Sequence, residues 1–516
     1  MHLGEVARHS PTKTAVVLEE RRISYAALDA ASRKIARLAR DHGLTRGSVL
    51  AVIAPNGPEF LAAVTAAQRS GLYALPLSTH ITSEDLHYIL NDSGATLLFL
   101  GQELSGLVDA AQLRQAGCTA ICFEEITRLF TVENAPGETD PVEGGDMLYT
   151  SGTTGKPKGV RKPLSYSVLG SDGGRSERLR SLFAFDTDSV FLSPAPLYHA
   201  APLRFATTLL RIGATIVLMH KFSAPEALQL LGREKVTHSQ WVPTMFRRLL
   251  DCEPAQKEAL VAPLHRCAIH AGAPCPVGLK REMIAWWGPI LHEYYSGTES
   301  IGFTHITSEE WLQKPGSVGR PWGCAVHILG DSGERLGPKQ TGTVYFSGRG
   351  SLSYHNDPEK SEQATSREGW ATMGDIGYVD HAGYLYLTDR LAFTIISGGV
   401  NIYPREVEAA LYEYRKVKEA AVFGVDDSDL GEAVVAVIEL ALDSDPTLTT
   451  AQAIRDFLDE RLARFKKPRW IAFQTALPLT DSGKIHKARV RDHWREEALV
   501  VFDHAALSGA KACTTA

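Results

Sequence analysis

Three hydroxyls, three glycines and two lysines fall within nine positions of the stretch Leu148–Val160, LYTSGTTGKPKGV. The hydroxyls are Ser151, Thr153 and Thr154, the glycines Gly152, Gly155 and Gly159, and the lysines Lys156 and Lys158. Glycines let a backbone turn back and present its N–H groups to an anion without interference from a Cβ. The hydroxyls add donors and the lysines add charge, so the combination makes a cradle for a polyphosphate. It is not a Walker A loop, which needs Lys followed by Ser or Thr, because Pro157 follows Lys156. A solvated Gly/Ser/Thr loop is the alternative. The two lysines and the strand-like lead-in Met147-Leu148-Tyr149 weigh against it.

The segment from Thr150 to Lys158 resembles the phosphate loop of the adenylate-forming superfamily, which holds acyl-CoA synthetases, adenylation domains of peptide synthetases and luciferases. Further blocks follow in that superfamily's order, and the resemblance spans nearly the whole chain. Ala271-Gly272-Ala273-Pro274 is similar to its adenine shelf, with alanine where the first glycine usually stands. Tyr294-Tyr295-Ser296-Gly297-Thr298-Glu299 is similar to its Y-G-x-T-E block. The resemblance implies that Tyr295 stacks on adenine, Thr298 donates to the α-phosphate and Glu299 takes Mg²⁺, an ion that binds through one or two carboxylates plus phosphate oxygens. Asp375, in WATMGDIGYVD, then holds the ribose hydroxyls, with Tyr386 and Arg390 closing the nucleotide site. LPLTDSGKIHKAR matches the loop that carries the superfamily's catalytic lysine, here Lys484.

The same resemblance assigns an acid pocket to Tyr198, His199, Phe205, Trp241, Val242, Met245 and Gly302, with His199 gating the thiol. For His199 and the other wall residues, ordinary core packing is the competing reading. Arg204 either pairs with a second polar group on the substrate or lies at the surface. Ser397, Gly398 and Gly399 match the loop that borders the pantetheine tunnel of acyl-CoA synthetases. The usual charged hinge residue is absent: Ala392 follows Arg390-Leu391. The basic knot Phe465–Arg469 is either a solvated face or a contact for the phosphates of coenzyme A.

These residues need elements to place them. Ser24 is a helix N-cap signal before an amphipathic run through Ala39. Ser48–Ala54 and Ala214–Met219 are apolar runs of the kind found in buried parallel strands. Strand and helix signals alternate, which argues for an α/β chain with parallel sheets. The expected architecture is a large N-terminal adenylation domain, residues 1–390, of parallel α/β sheets plus a β-barrel-like subdomain. A small mobile α+β domain, residues 391–516, follows and carries Lys484.

The resemblance implies two half-reactions: a carboxylate attacks the α-phosphate of ATP, releasing pyrophosphate, and a thiol then displaces AMP. Coenzyme A is the expected thiol, since no carrier domain is appended, although loading of a carrier protein is the alternative. The pocket segments are apolar and aromatic and offer no acidic residue for an α-amino group. A fatty acid is therefore expected, with an aryl or alicyclic acid behind it. Composition fits such an enzyme: 44% hydrophobic, 22% charged and a net charge of −6. That charge gives no footprint for nucleic acid, which needs a basic face. The start lacks a signal-peptide core and no run reaches the roughly 18 apolar residues of a membrane span. Seven scattered cysteines without C-x-x-C favour reduced thiols and a cytoplasmic location. The oligomeric state stays open, a homodimer among the options.

Overall fold

In the computed structural model the described residues exclude 131–140, 151–156, 172, 351, 391–392, 398–399, 428–429, 443, 481–483 and 504–516, and residues 110–112 and 390 are described by main chain alone. The chain forms two compact units. One comprises residues 1–272, 290–300 and 351–363, the other residues 273–289, 301–350 and 364–516.

The first unit is built on parallel sheets. Strands β1 (Thr14–Leu18), β2 (Arg21–Ser24), β3 (Val49–Ile53), β4 (Tyr73–Pro76), β5 (Ala95–Leu100) and β6 (Thr119–Cys122) are followed by β7 (Gly145–Thr150) and β8 (Lys158–Arg161). Then come β9 (Val190–Ser193), β10 (Thr215–Leu218), β11 (His238–Trp241), β12 (Cys267–His270) and β13 (Leu291–Tyr295). One sheet runs β6-β5-β3-β4-β7-β8, parallel except for the antiparallel β7–β8 pair. In the other, β13-β12-β11-β9-β10-β1 are parallel and β2 adds an antiparallel edge. Every residue of β3 is buried, as the unbroken apolar run VLAVI requires. Helix Pro58–Arg69 is buried along its whole length and touches β1 of one sheet and β3, β4 and β7 of the other. The Ser24 signal holds: its hydroxyl accepts from Ala27 N–H (3.2 Å) and the helix runs Tyr25–Asp41.

This topology matters for the site. In open parallel sheets the loops that leave the carboxyl ends of strands gather at one edge, where ligands bind. The candidate segments after β7, β9, β11 and β13 all leave from such ends.

In the second unit, β14 (Thr304–Ile306) and β15 (Arg320–Pro321) form an antiparallel pair. The barrel-like region is a four-stranded antiparallel sheet of β16 (Ala325–Leu329), β17 (Gly342–Ser347), β18 (Ala371–Val379) and β19 (Leu385–Arg390). The last sheet holds β20 (Ile395–Ser397), β21 (Val400–Ile402), β22 (Val417–Asp427), β23 (Gly431–Leu440), β24 (Trp470–Gln474) and β25 (Val500–Asp503). Its strand β23 is buried on both faces. Val434, Ala436 and Ile438 pack with Leu411, Ile454 and Phe473, while Val435 and Val437 pack with Phe423, Val490 and Trp494. The period of two along the strand divides the two cores.

Gly319, in the GSVGR block, has φ +96°, and a Cβ there would meet the His305 carbonyl oxygen at 2.1 Å. Gly319→Ala is therefore expected to cost about 3 kcal/mol or more, read as a lowered urea midpoint. An unchanged midpoint would show that this loop tolerates a side chain.

Candidate active site

Thr150 ends β7 and pairs in register with Lys158 of β8. Between them, Ser151, Gly152, Thr153, Thr154, Gly155 and Lys156 lie outside the described residues. Lys158 is half-buried. Burial, together with a hydrogen bond to Lys360 and that residue's charge, pulls its ammonium group down to about 8, against the opposing pull of Asp357 and Glu299. Two lysines drawn together beside two carboxylates form a site whose net charge changes with its ligand. An anion held between the two amines would relieve their repulsion.

Glu299 reaches this group from the loop after β13, and its carboxylate accepts from Tyr354 O–H (3.2 Å). Tyr354 belongs to a segment fixed from two sides. His355 N–H donates to Gly159 C=O (2.8 Å), and Asn356 Nδ2 donates to Asp92 Oδ1 (3.1 Å). Asp92 also accepts from Tyr149 O–H on β7 (2.5 Å). Among the described residues no cluster of three or more His, Cys, Asp or Glu side chains could hold a metal. A carboxylate such as Glu299 suits a Mg²⁺ ion that arrives on a nucleotide, since that ion takes one or two carboxylates plus phosphate oxygens.

Arg204, expected either to pair with a polar group of the substrate or to lie at the surface, is held by groups of the protein. Its Nε and Nη2 donate to Asp146 Oδ2 on β7 (2.8 and 2.6 Å), and Nη1 donates to Thr298 C=O (3.0 Å) and Ser300 Oγ (2.8 Å). Burial pushes the Asp146 carboxyl up, but Arg204, with Arg175 behind it, outweighs this and holds it below the usual range. Arg204 therefore joins β7 to the main chain around Glu299. Ser300 itself sits at φ +53°, a left-handed conformation uncommon outside glycine. Asp146, Tyr354, Asp357 and Lys360 were not singled out in the sequence. Their roles depend on partners tens of residues or more away in the chain.

The acid-pocket candidates divide. Tyr198 and His199 are half-buried, their rings 4.6 Å apart, and His199 is the N-cap of helix Ala200–Ile212. Phe205 lies in an aromatic cluster with Phe183, Phe191 and Tyr294. Trp241 is 1% exposed and donates from Nε1 to Ser239 Oγ (2.6 Å). Val242 caps helix Pro243–Leu250, within which Met245 is buried. On β13 the alternation of faces separates two tyrosines. Tyr294 is buried, its hydroxyl receiving Gln240 Nε2 (3.3 Å) and its pKa raised by burial, while Tyr295 is half-buried. Ser296, Gly297 and Thr298 are also half-buried, and Gly272 is exposed at φ +86°.

The remaining candidates belong to the second unit. Ala273 is half-buried and Pro274 exposed. Gly302 is buried, and a Cβ there would run into the Phe346 ring at 2.3 Å, so Phe346 accounts for the glycine. Asp375 is 3% exposed on β18, opposite Arg390 of β19. Tyr386 stacks on Tyr378 (4.9 Å, 6°), and burial, with Asp380 nearby, pushes its phenol up to about 12. Asp389 accepts from Arg405 N–H (2.8 Å) at the start of helix Pro404–Tyr412. Ser397 is buried on β20, while Gly398, Gly399 and the hinge position Ala392 lie outside the described residues. Lys484 is exposed, its main chain paired with Thr480 (N–H to Oγ1 3.1 Å, C=O from Thr480 N–H 2.6 Å). The basic knot is matched by carboxylates: Lys466 on Glu406 (2.6 Å), Lys467 on Asp459 (2.7 Å) and Arg469 on Asp427.

The Asp146–Arg204 pair sets a test. Removing one partner leaves a largely buried charge, so Asp146→Ala is expected to cost about 3 kcal/mol. In a double-mutant cycle with Arg204→Ala the losses should fall short of additive. Strict additivity would mean that the pair does not join these segments.

A family model described as AMP-binding enzyme matches residues 3–353, and one described as AMP-binding enzyme C-terminal domain matches residues 406–484. The chain is 32% identical over 510 residues to an indoleacetate–CoA ligase from Aromatoleum aromaticum, covering 95% of this chain and 98% of the relative. It is 30% identical to a long-chain-fatty-acid–CoA ligase from Mycobacterium tuberculosis, covering 92% and 93%. Among solved structures, o-succinylbenzoate coenzyme A synthetase from Bacillus subtilis in complex with ATP and magnesium ion matches with a TM-score of 0.79 at 28% identity, covering 95% of this chain and 99% of that one. The paired carboxylate and lysine cluster at the end of β7, the parallel sheets that deliver it and these full-length matches agree: the chain belongs to the AMP-binding enzyme family of adenylate-forming proteins, as an AMP-forming acid–CoA ligase.

Proposed function

We propose that this ligase joins an apolar monocarboxylic acid to ATP as an acyl-adenylate and then transfers the acyl group to coenzyme A. The observation that carries the reading is the set of side chains at the end of β7: Lys158, Lys360 and Glu299, with Arg204 fixing the Thr298–Ser300 main chain. In the first step a carboxylate oxygen forms a bond to the α-phosphorus and the bond to pyrophosphate breaks. Both reactants are anions and charge builds on the phosphoryl oxygens, so positioned cations and donors supply most of the catalysis. Lys158 and Lys360 hold the leaving pyrophosphate, and Lys484 serves the reacting carboxylate and α-phosphate. Glu299 would hold the Mg²⁺ carried in on ATP, which would neutralise phosphate charge. In the second step the sulfur of coenzyme A attacks the acyl carbonyl, its proton is lost and AMP leaves. On this reading residues 391–516 move between the two steps as a small domain.

The engagement of Arg204 by Asp146, Thr298 and Ser300 supports a monocarboxylic substrate, because the cation nearest the Tyr198-His199 turn in sequence is already matched. A fatty acid agrees with the apolar candidates Trp241, Val242 and Met245 and with the mycobacterial relative. An aryl acid is the second reading, favoured by the aromatic pair Tyr198–His199 and by the indoleacetate relative.

Pyrophosphate release across octanoate, dodecanoate, phenylacetate and cinnamate, each with and without coenzyme A, tests this reading. An acyl-CoA product is expected, whereas release without one would point to a carrier protein as acceptor. Lys484→Ala should lose adenylation by about 10³-fold while largely sparing thioester formation from preformed adenylate, and an equal loss of both would contradict the assignment. For ATP, kcat/KM should fall as pH rises through about 8, because Lys158 then loses its charge. Lys360→Met removes a neighbouring cation and should move that limb to higher pH, and an unmoved limb would contradict the pairing.

A further inference from the structure

The motif Pro55-Asn56-Gly57 between β3 and helix Pro58–Arg69 reads as a simple turn, but Asn56 is 6% exposed and every polar atom of its side chain is used. Nδ2 donates to the carbonyls of Ala195 (3.1 Å) and Met219 (2.8 Å), and Oδ1 accepts from Leu197 N–H (2.7 Å). These groups come from three crossovers. Ala195 and Leu197 follow β9, Met219 follows β10, and Asn56 follows β3 of the other sheet. One side chain thus ties together the carboxyl ends of strands from both sheets. Two donors and an acceptor on one head group are an amide's inventory. Aspartate has the acceptor but no donor, and leucine has neither.

The placement of these bonds matters more than their number. They grip the main chain on both sides of Pro196, and Pro196 C=O in turn accepts from His199 N–H (3.2 Å). Tyr198 and His199 follow directly, and His199 begins helix Ala200–Ile212 with extended backbone (φ −87°, ψ 148°). The ladders of β9 and β3 do not need this contact, since each strand is paired on both sides within its own sheet. What it fixes is the direction in which Tyr198 and His199 leave the sheet.

We propose that Asn56 is a positioning residue for the acid: it holds the Ala195–Leu197 turn so that Tyr198 and His199 face the carboxylic substrate. This rests on the reading of Tyr198 and His199 as acid-pocket residues, so its test has two arms. Hydrogen exchange followed by mass spectrometry reads the tether directly and needs no substrate. In Asn56→Ala, peptides covering 195–201 should exchange faster than in the parent, while those of β10 should not change. Pyrophosphate release with octanoate, dodecanoate, phenylacetate and cinnamate reads the consequence. Here kcat/KM for the acids should fall about tenfold or more and unequally between them, as expected of a shifted pocket wall, with KM for ATP within about twofold of the parent. Asn56→Asp keeps the acceptor but sets a carboxylate against two carbonyls, and should do as badly as alanine. Asn56→Gln keeps the full head group and should recover part of the acid selectivity; it is the variant to read if the alanine form does not fold. Unchanged exchange in Asn56→Ala would overturn the tether. Faster exchange with all acids and ATP affected alike would reduce Asn56 to a structural role. If the parent turns over none of these acids, the proposed function fails while the exchange arm still decides the tether.

Discussion

One guanidinium sets the spacing on which the first unit's chemistry depends. Arg204 holds Asp146 on β7 and, with its other edge, the Thr298 carbonyl and Ser300 hydroxyl beside Glu299. The strand and the carboxylate loop come from different sheets, and 58 residues separate the two ionic partners. Phosphoryl transfer rewards donors and cations that are already in place when charge develops, because no reorganisation is then needed. A planar fork with several donors suits this work better than a lysine, which would offer a point charge without direction. The arginine lies on helix Ala200–Ile212, the helix that His199 caps, so the Thr298–Ser300 loop and the Tyr198-His199 turn share one rigid element.

The rest of the first unit serves that placement. Parallel strands put the loops after β7, β9, β11 and β13 on their carboxyl edges, and helix Pro58–Arg69, buried along its length, packs between the sheets. The repulsion between Lys158 and Lys360 is tolerated because Asp357 and Glu299 oppose it. The second unit follows a different plan, an antiparallel sheet and a mixed sheet with β23 buried on both faces.

Local signals in the sequence located most elements. Ser24 marked its helix because a cap hydroxyl acts within three residues, and VLAVI marked β3 because a strand buried on both faces has no polar side. The apolar, aromatic Met147-Leu148-Tyr149 marked the end of β7, although residues 151–156 after it fall outside the described residues. Long-range pairing was not legible. Arg204 read as a surface or substrate residue because nothing near it in sequence announces Asp146. Tyr354, which serves Glu299 from 55 residues away, gave no signal of that role. The basic run Phe465–Arg469 could not be read until its carboxylates Glu406, Asp427 and Asp459 were found beside it. Phe205, expected among the pocket residues, packs in an aromatic cluster with Phe183, Phe191 and Tyr294.

The central claim is that a carboxylate of the substrate attacks the α-phosphorus of ATP at this site. A single turnover with the preferred acid labelled with ¹⁸O in both carboxylate oxygens, followed by mass analysis of the products, tests it directly. One labelled oxygen is expected in AMP and none in pyrophosphate. Label in pyrophosphate or inorganic phosphate, or AMP without label, would contradict it.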